Sequence, residues 1–204
     1  MLRLRFLLLT LFLIGSHAHS QVSEPDWAAV EEETLKHFRA LLRFDTSDPP
    51  GRELPAAEYL RDVLEAEGIS VEMLSVDPER PNVVARLKGD GSQEPLLIMA
   101  HTDVVNVDPE KWTFPPFSAT VDGGYVYGRG AVDDKDNLAA GLMVMLELKR
   151  QKIPLSRDVI FLAESGEEGA TEYGIEFMVN EHFEKIDAEF CLAEGGSVAR
   201  VNRE

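Results

Sequence analysis

Three apolar runs constrain this chain most: Pro95–Ala100, Asp158–Ala163 and Ala188–Ala193, each followed at once by acidic or imidazole side chains. His101-Thr102-Asp103 follows the first, Glu164-Ser165-Gly166-Glu167-Glu168-Gly169 the second, and Glu194-Gly195-Gly196 the third. Runs this short and this apolar read as strands, the first two as strands covered on both faces and Ala188–Ala193 as the last strand. Helical spacing surrounds them. Trp27, Val30, Phe38, Leu41 and Leu42 share a face over Pro25–Arg43, and Ala57, Leu60 and Leu64 share one over Pro55–Ala66, with Gly68 as the stop. Asn137–Arg150 turns Leu138, Leu142, Met145 and Leu146 inward and ends on basic residues that suit a helix C-terminus. Glu172 to about His182 is a further helix, and Val71–Leu74 and Asn82–Leu87 are further strands. Buried strands alternating with helices predict an α/β fold, a mostly parallel sheet flanked by helices.

The balance of 37 acidic against 20 basic residues gives a formal charge of −17. Such a surface repels nucleic acid and anionic membranes, so neither is an expected partner. With 44% hydrophobic and 28% charged residues, the composition is that of a globular chain able to bury a core. Residues 1–20 are set apart. Arg3 and Arg5 precede an apolar run from Phe6 to Ile14, and small residues lead to Ser20, the pattern of a secretory signal peptide. The run is too short to cross a bilayer, which takes about 20 residues. The expectation is therefore a periplasmic or secreted protein with no membrane attachment after cleavage, its mature domain beginning at residue 21. Cys191 is the only cysteine, so no intramolecular disulfide can form, and a buried free thiol is expected.

In open α/β sheets ligands bind outside the carboxyl ends of the strands, so the three motif-bearing ends can converge on one crevice. The loop Gly128-Arg129-Gly130-Ala131-Val132-Asp133-Asp134-Lys135 adds another acidic pair. Carboxylates gathered this closely repel one another, and Arg129 and Lys135 offset only part of that charge, so a divalent metal is the natural partner. His101 and Asp103 stand two apart and point the same way on an extended chain, which lets Asp103 fix the ring tautomer of a metal-binding His101. Of the adjacent Glu167 and Glu168, one can bind metal while the other acts as general base on water. Each motif alone is commonplace: His-x-Asp occurs as a core or surface pair, Glu-Glu as a solvated face, and Asp-Asp-Lys as a turn. Their combination carries the inference. His37 and His182 read instead as packing and helix-capping residues.

With these motifs in order, the sequence resembles the co-catalytic di-zinc metallopeptidase family of glutamate carboxypeptidase, aminoacylase and succinyl-diaminopimelate desuccinylase. The resemblance runs through Asp48-Pro49-Pro50-Gly51, His101-Thr102-Asp103-Val104-Val105, Trp112 with Pro115-Pro116-Phe117-Ser118, Tyr127 to Lys135, Glu167-Glu168-Gly169 and Glu194-Gly195-Gly196. Within the family it looks most like the carboxypeptidase S branch. Asn106 and Asp136 depart from the residues most frequent at their positions.

The resemblance implies a zinc-dependent exopeptidase-like catalytic domain using two zinc ions, with cobalt or manganese as substitutes. His101 would bind one zinc, Asp133 bridge both, Glu168 bind the other and Glu194 complete the first. Glu167 would be the general base and Asp103 the partner of His101, and the Asp133–Asp134 peptide would be cis. The implied reaction is hydrolysis of an amide bond in a peptide or N-acyl amino acid, of carboxypeptidase or deacylase type. An aminopeptidase or dipeptidase, or a non-catalytic binding homologue, are the alternatives. The resemblance also implies another zinc-binding histidine and an inserted lid and dimerisation domain beyond Glu204. On that reading, residues 21–204 are the N-terminal part of the catalytic domain, and a homodimer would form through the inserted domain.

Overall fold

Asp26 starts the first helix by accepting the Ala29 amide N–H on its side chain, the N-cap contact that satisfies an otherwise unpaired donor. In this computed structural model, which describes residues 24–195, α1 (Trp27–Leu41) is followed by the short strand β1 (Ser47–Asp48) and by α2 (Leu54–Ala66). Then come β2 (Val71–Leu74), β3 (Asn82–Leu87), β4 (Leu96–His101), β5 (Val104–Val105), a 3-10 turn at Pro109–Lys111, and the hairpin of β6 (Thr120–Asp122) and β7 (Tyr125–Tyr127). The remainder is α3 (Lys135–Arg150), β8 (Val159–Glu164), α4 (Ile175–Glu181), α5 (Phe183–Ile186) and β9 (Phe190–Leu192). The expected signal segment lies outside the described residues, as does Gly196.

The main sheet has the order β2-β3-β8-β4-β9. Strands β8, β4 and β9 run parallel, while β2 pairs antiparallel with β3, and β3 antiparallel with β8. The sheet is therefore mixed, with its parallel part confined to the three strands that end on acidic or imidazole motifs. The antiparallel half follows from chain length: only residues 75–81 separate β2 from β3, too few for the crossover that a parallel pair requires. Parallel β4 and β8 are joined instead through the hairpin and α3.

Alternation along the strands sorts the core into two layers. Val83, Ala85, Ala100, Val159, Phe161 and Ala163 face α1, α2 and α3, packing on Leu41, Leu60, Leu64, Leu138, Leu142 and Met145. Val84, Leu97, Ile160 and Leu162 face the other way, onto Phe177, Met178 and Ile186 of α4 and α5. The apolar helix positions read from the sequence are buried or, at Val30 and Phe38, partly buried against the core, with one exception. Trp27 is 62% exposed, because the first turn of α1 only flanks α3 beside Val30, Met143 and Leu148. Cys191 also departs from expectation. It is exposed because, among the described residues, β9 is an edge strand whose residues Phe190, Cys191 and Leu192 are all exposed. The last long helix begins at Ile175 instead of Glu172, since Tyr173 and Gly174 turn back to the carbonyls of Ala170 and Thr171.

At the opposite end of the sheet Asp158 accepts from Lys88 Nζ at 2.7 Å, Arg86 Nη1 at 2.9 Å and the Gly89 amide at 2.9 Å. Burial pushes its carboxyl up, but these three donors outweigh burial and hold it at about 2 instead of 3.8. A depressed carboxylate pKa stabilises the fold above the unfolded value, and that contribution fades as pH falls towards the folded one. Asp158→Asn should therefore lower unfolding free energy at pH 7 by on the order of 1–2 kcal/mol, solvent screening included. Between pH 4 and pH 2 the difference from wild type should close, which urea titrations across that range would measure.

Candidate metal centre

His101 and Glu164 are register partners at the ends of parallel β4 and β8, so two strands deliver their terminal side chains at one level. Strand β9 lies along the other side of β4, and its continuation returns Glu194 to the same spot. The loop before α3 brings Asp133 from above. His101 is 1% exposed, and its Nε2 lies 3.0 Å from Asp133 Oδ1, 3.7 Å from Glu194 Oε2 and 3.9 Å from Glu167 Oε2. Ligand atoms of His101, Asp133 and Glu194 all fall within 4.8 Å of one another. One imidazole nitrogen and two carboxylate oxygens make a donor set that suits catalytic zinc. Glu168 stands beside this group, half-buried: burial raises its carboxyl, and Asp133 is the neighbouring charge that raises it most.

Asp103 does more than its spacing indicated. His101 Nδ1 donates to the Asp103 main-chain carbonyl at 3.0 Å, with the Asp103 carboxylate at 3.3 Å. That carboxylate is fully buried and accepts two further N–H groups, from Glu167 at 3.1 Å and Glu168 at 3.0 Å. One side chain therefore orients the imidazole and also pins the backbone of the Glu-Glu pair. Burial disfavours the Asp103 carboxylate, yet His101 and these amides outweigh it and lower its pKa. For His101 burial works downward, and Asp103 and Asp133 overcome it, lifting the imidazole to about 10. The Asp133–Asp134 peptide is cis, as the resemblance implied.

The sequence profile of peptidase family M20/M25/M40 matches residues 97–202, just over half of the chain, and spans every one of these residues. The chain belongs to peptidase family M20/M25/M40. Among curated relatives of this M20 chain, N-formyl-4-amino-5-aminomethyl-2-methylpyrimidine deformylase of Halalkalibacterium halodurans is 42% identical over 142 residues, covering 68% of this chain and 33% of the relative. The probable succinyl-diaminopimelate desuccinylase of Staphylococcus epidermidis is 33% identical over 155 residues, or 75% of this chain and 37% of its own. An M20 family metallo-carboxypeptidase from Sulfolobus solfataricus superposes with a TM-score of 0.70 at 29% identity, over 81% of this chain and 38% of that one. The chain thus spans about a third of the length of the curated relatives it matches.

Several groups around this M20 site do more than the sequence motifs containing them indicate. Glu164 is buried beside His101, and its Oε2 has no hydrogen-bond partner among the described residues. Burial raises its carboxyl to about 7, His101 works against that, and Asp103, Glu167 and Glu194 add to it. A glutamate closing an apolar strand run was the available signal. Asp134 turns inward, accepting the His101 amide at 3.3 Å and Asn137 Nδ2 at 2.6 Å. Of the two basic residues expected to offset the acidic charge, Lys135 does so from below. It is fully buried, donates to the Phe44 carbonyl at 2.8 Å, and is lowered by burial to about 8 against the pull of Asp45, Asp103 and Glu53. Arg129 goes elsewhere, stacking 5.4 Å over Trp112, with no ion pair among the described residues. Asn106 finds a use of its own by donating to the Pro49 carbonyl at 3.1 Å. His37 and His182 stay outside the site: His37 pairs with Tyr59 at 2.7 Å, and His182 ends α4 against the Phe177 ring.

Proposed function

We propose that this protein is a zinc-dependent hydrolase that cleaves an amide bond of a peptide or N-acyl amino acid, of carboxypeptidase or deacylase type. The observation that carries the reading is the triad of His101, Asp133 and Glu194 with Glu167 beside it, a donor set with a carboxylate left over for proton transfer. His101, Asp133 and Glu194 would hold one zinc, and Asp133 with Glu168 would contribute to a second. Bound there, zinc lowers the pKa of water and polarises a carbonyl. Glu167, 41% exposed at the mouth of the site, takes the proton of the attacking water and returns it to the leaving amine. Asp103 keeps the His101 ring turned so that Nε2 faces Asp133 and Glu194. The two named relatives, a deformylase and a desuccinylase, both support removal of an acyl group from an amine. The N-terminal segment supports export, so the activity would be periplasmic or extracellular.

The test uses the full-length protein stripped of metal and titrated with zinc, then assayed on N-acyl amino acids and on free dipeptides. Turnover of N-acyl amino acids that returns with zinc is the expected result. Cleavage of free dipeptides alone would assign an aminopeptidase or dipeptidase instead, and zinc binding with no turnover of either substrate would assign a binding homologue.

A further inference from the structure

Arg80 contributes no atom to the metal centre, yet its guanidinium joins two loops that shape it. The side chain is 4% exposed. Its Nε donates to both oxygens of the fully buried Glu53 at 3.1 Å, and its Nη2 donates to Glu53 at 2.7 Å and to Asp48 at 2.8 Å. On the opposite side the guanidinium lies 4.6 Å over the ring of Tyr173. Two backbones close around it. A Cβ at Gly51 would stand 2.3 Å from Arg80 Cζ, and one at Gly166 would stand 3.2 Å from Nη2. Both glycines also adopt positive φ, 74° and 72°, so chain direction and close approach demand the same residue.

The main chain around Arg80 continues the connection. Ser165 Oγ donates to the Arg80 carbonyl at 3.0 Å, the Ser165 amide donates to Asn82 Oδ1 at 3.1 Å, and Asn82 Nδ2 donates to the Tyr173 carbonyl at 2.7 Å. Segment 80–82 therefore grips both ends of the loop that carries Glu167 and Glu168, while Asp103 holds its middle through their amides. The early loop is bound in turn to the site strand, since β1 pairs with β5 directly after Asp103.

We propose that Arg80 is a positioning residue: by clamping Asp48 and Glu53 on one side and Gly166 and Tyr173 on the other, it sets where Glu167 and Glu168 stand relative to His101 and Asp133. A planar fork that bridges two carboxylates while stacking on an aromatic face is a geometry open to arginine and not to lysine. The consequence for turnover rests on the hydrolase reading, whereas the placement of the loop does not.

Hydrogen exchange of the metal-free full chain, read by mass spectrometry, tests the placement directly. In Arg80→Lys, peptides spanning 165–173 should lose protection by about tenfold or more, while peptides from β3 and the middle of α3 keep theirs. Cobalt-loaded Arg80→Lys should show a shifted visible absorption spectrum at equal metal content. Should Arg80→Lys fail to fold, the Tyr173 pair decides: Tyr173→Phe keeps the ring and the protection of 165–173, and Tyr173→Ala loses it. Uniform loss of protection across the core would reduce Arg80 to a general stability role and overturn the proposal. Wild-type protection and an unchanged cobalt spectrum in Arg80→Lys would overturn it as well. Both readouts are independent of turnover, so an inactive enzyme leaves the test intact.

Discussion

Replacing Glu167 with alanine should lower kcat of the full-length protein by about 10²–10⁴-fold, the usual worth of a general acid–base group, with zinc content near wild type. The separation of the two effects follows from geometry. The Glu167 carboxylate stands 3.9 Å from His101 Nε2, outside the group of three that can share a cation. Its main chain is anchored independently, through the amide N–H given to Asp103, and that bond survives the substitution. An exposed side chain also costs little stability when removed, so thermal unfolding should barely move. Glu168→Ala is the control: with its carboxylate proposed to contribute to a second zinc, it should lose metal together with activity. Metal analysis and steady-state kinetics on both variants make the comparison. Unchanged turnover in Glu167→Ala would remove it from the reaction, and loss of zinc along with activity would make it a ligand instead of a base.

Much of this site was legible because the chemistry follows the strands locally. An apolar run of six residues reads as a buried strand, and whatever comes next stands at its end, so His101, Glu167, Glu168 and Glu194 could be placed without pairing information. What the sequence could not show is which strand neighbours which. The position of β8 between β3 and β4 depends on contacts between residues far apart in the chain, and so does the antiparallel half of the sheet. The double duty of Asp103 escaped for the same reason. Its amide donors lie 64 and 65 residues away, and the two-residue spacing from His101 pointed only to the imidazole. Arg80 gave no local sign at all. A lone arginine before Pro81 and Asn82 reads as a solvated turn until Asp48, Glu53 and Tyr173 close around it.

Apolar runs also mislead at the margin of a sheet. Ala188–Ala193 reads as a strand too, but among the described residues β9 has a neighbour on one side only, and Phe190 and Leu192 remain 55% and 58% exposed. The pattern reports what a strand is suited to meet, and the exposure reports what it meets among the described residues. Cys191 was misplaced by that difference. Glu164 shows the converse, a carboxyl whose position at the end of β8 commits it to burial beside His101 although its residue type favours water.

On the zinc-hydrolase proposal, His101→Ala should abolish the stabilisation that added zinc gives the folded protein. A ligand that binds only the native state adds RT ln(1 + [L]/Kd), about 2.7 kcal/mol when zinc is present at about 100 times its Kd. Weakening of a metal-orienting contact alone typically costs about 10–100-fold in affinity, so removal of the nitrogen ligand itself should cost more than about 100-fold. At the same zinc concentration the gain then drops below about 0.4 kcal/mol, too small to register in a melting curve. Metal-free His101→Ala should also be less stable than metal-free wild type. His101 is lifted to about 10 by Asp103 and Asp133, and its charge is what compensates that acidic cluster at neutral pH. Asp103→Asn should fall between the two, because it weakens the hold on the ring while leaving Nε2 in place, and it also turns an amide N–H₂ towards one of the Glu167 and Glu168 N–H donors, which give to separate oxygens of Asp103. The measurement is the shift in thermal midpoint with added zinc for wild type and both variants, alongside titration calorimetry. A zinc-dependent shift in His101→Ala equal to that of wild type would place the metal elsewhere and would sink the triad of His101, Asp133 and Glu194.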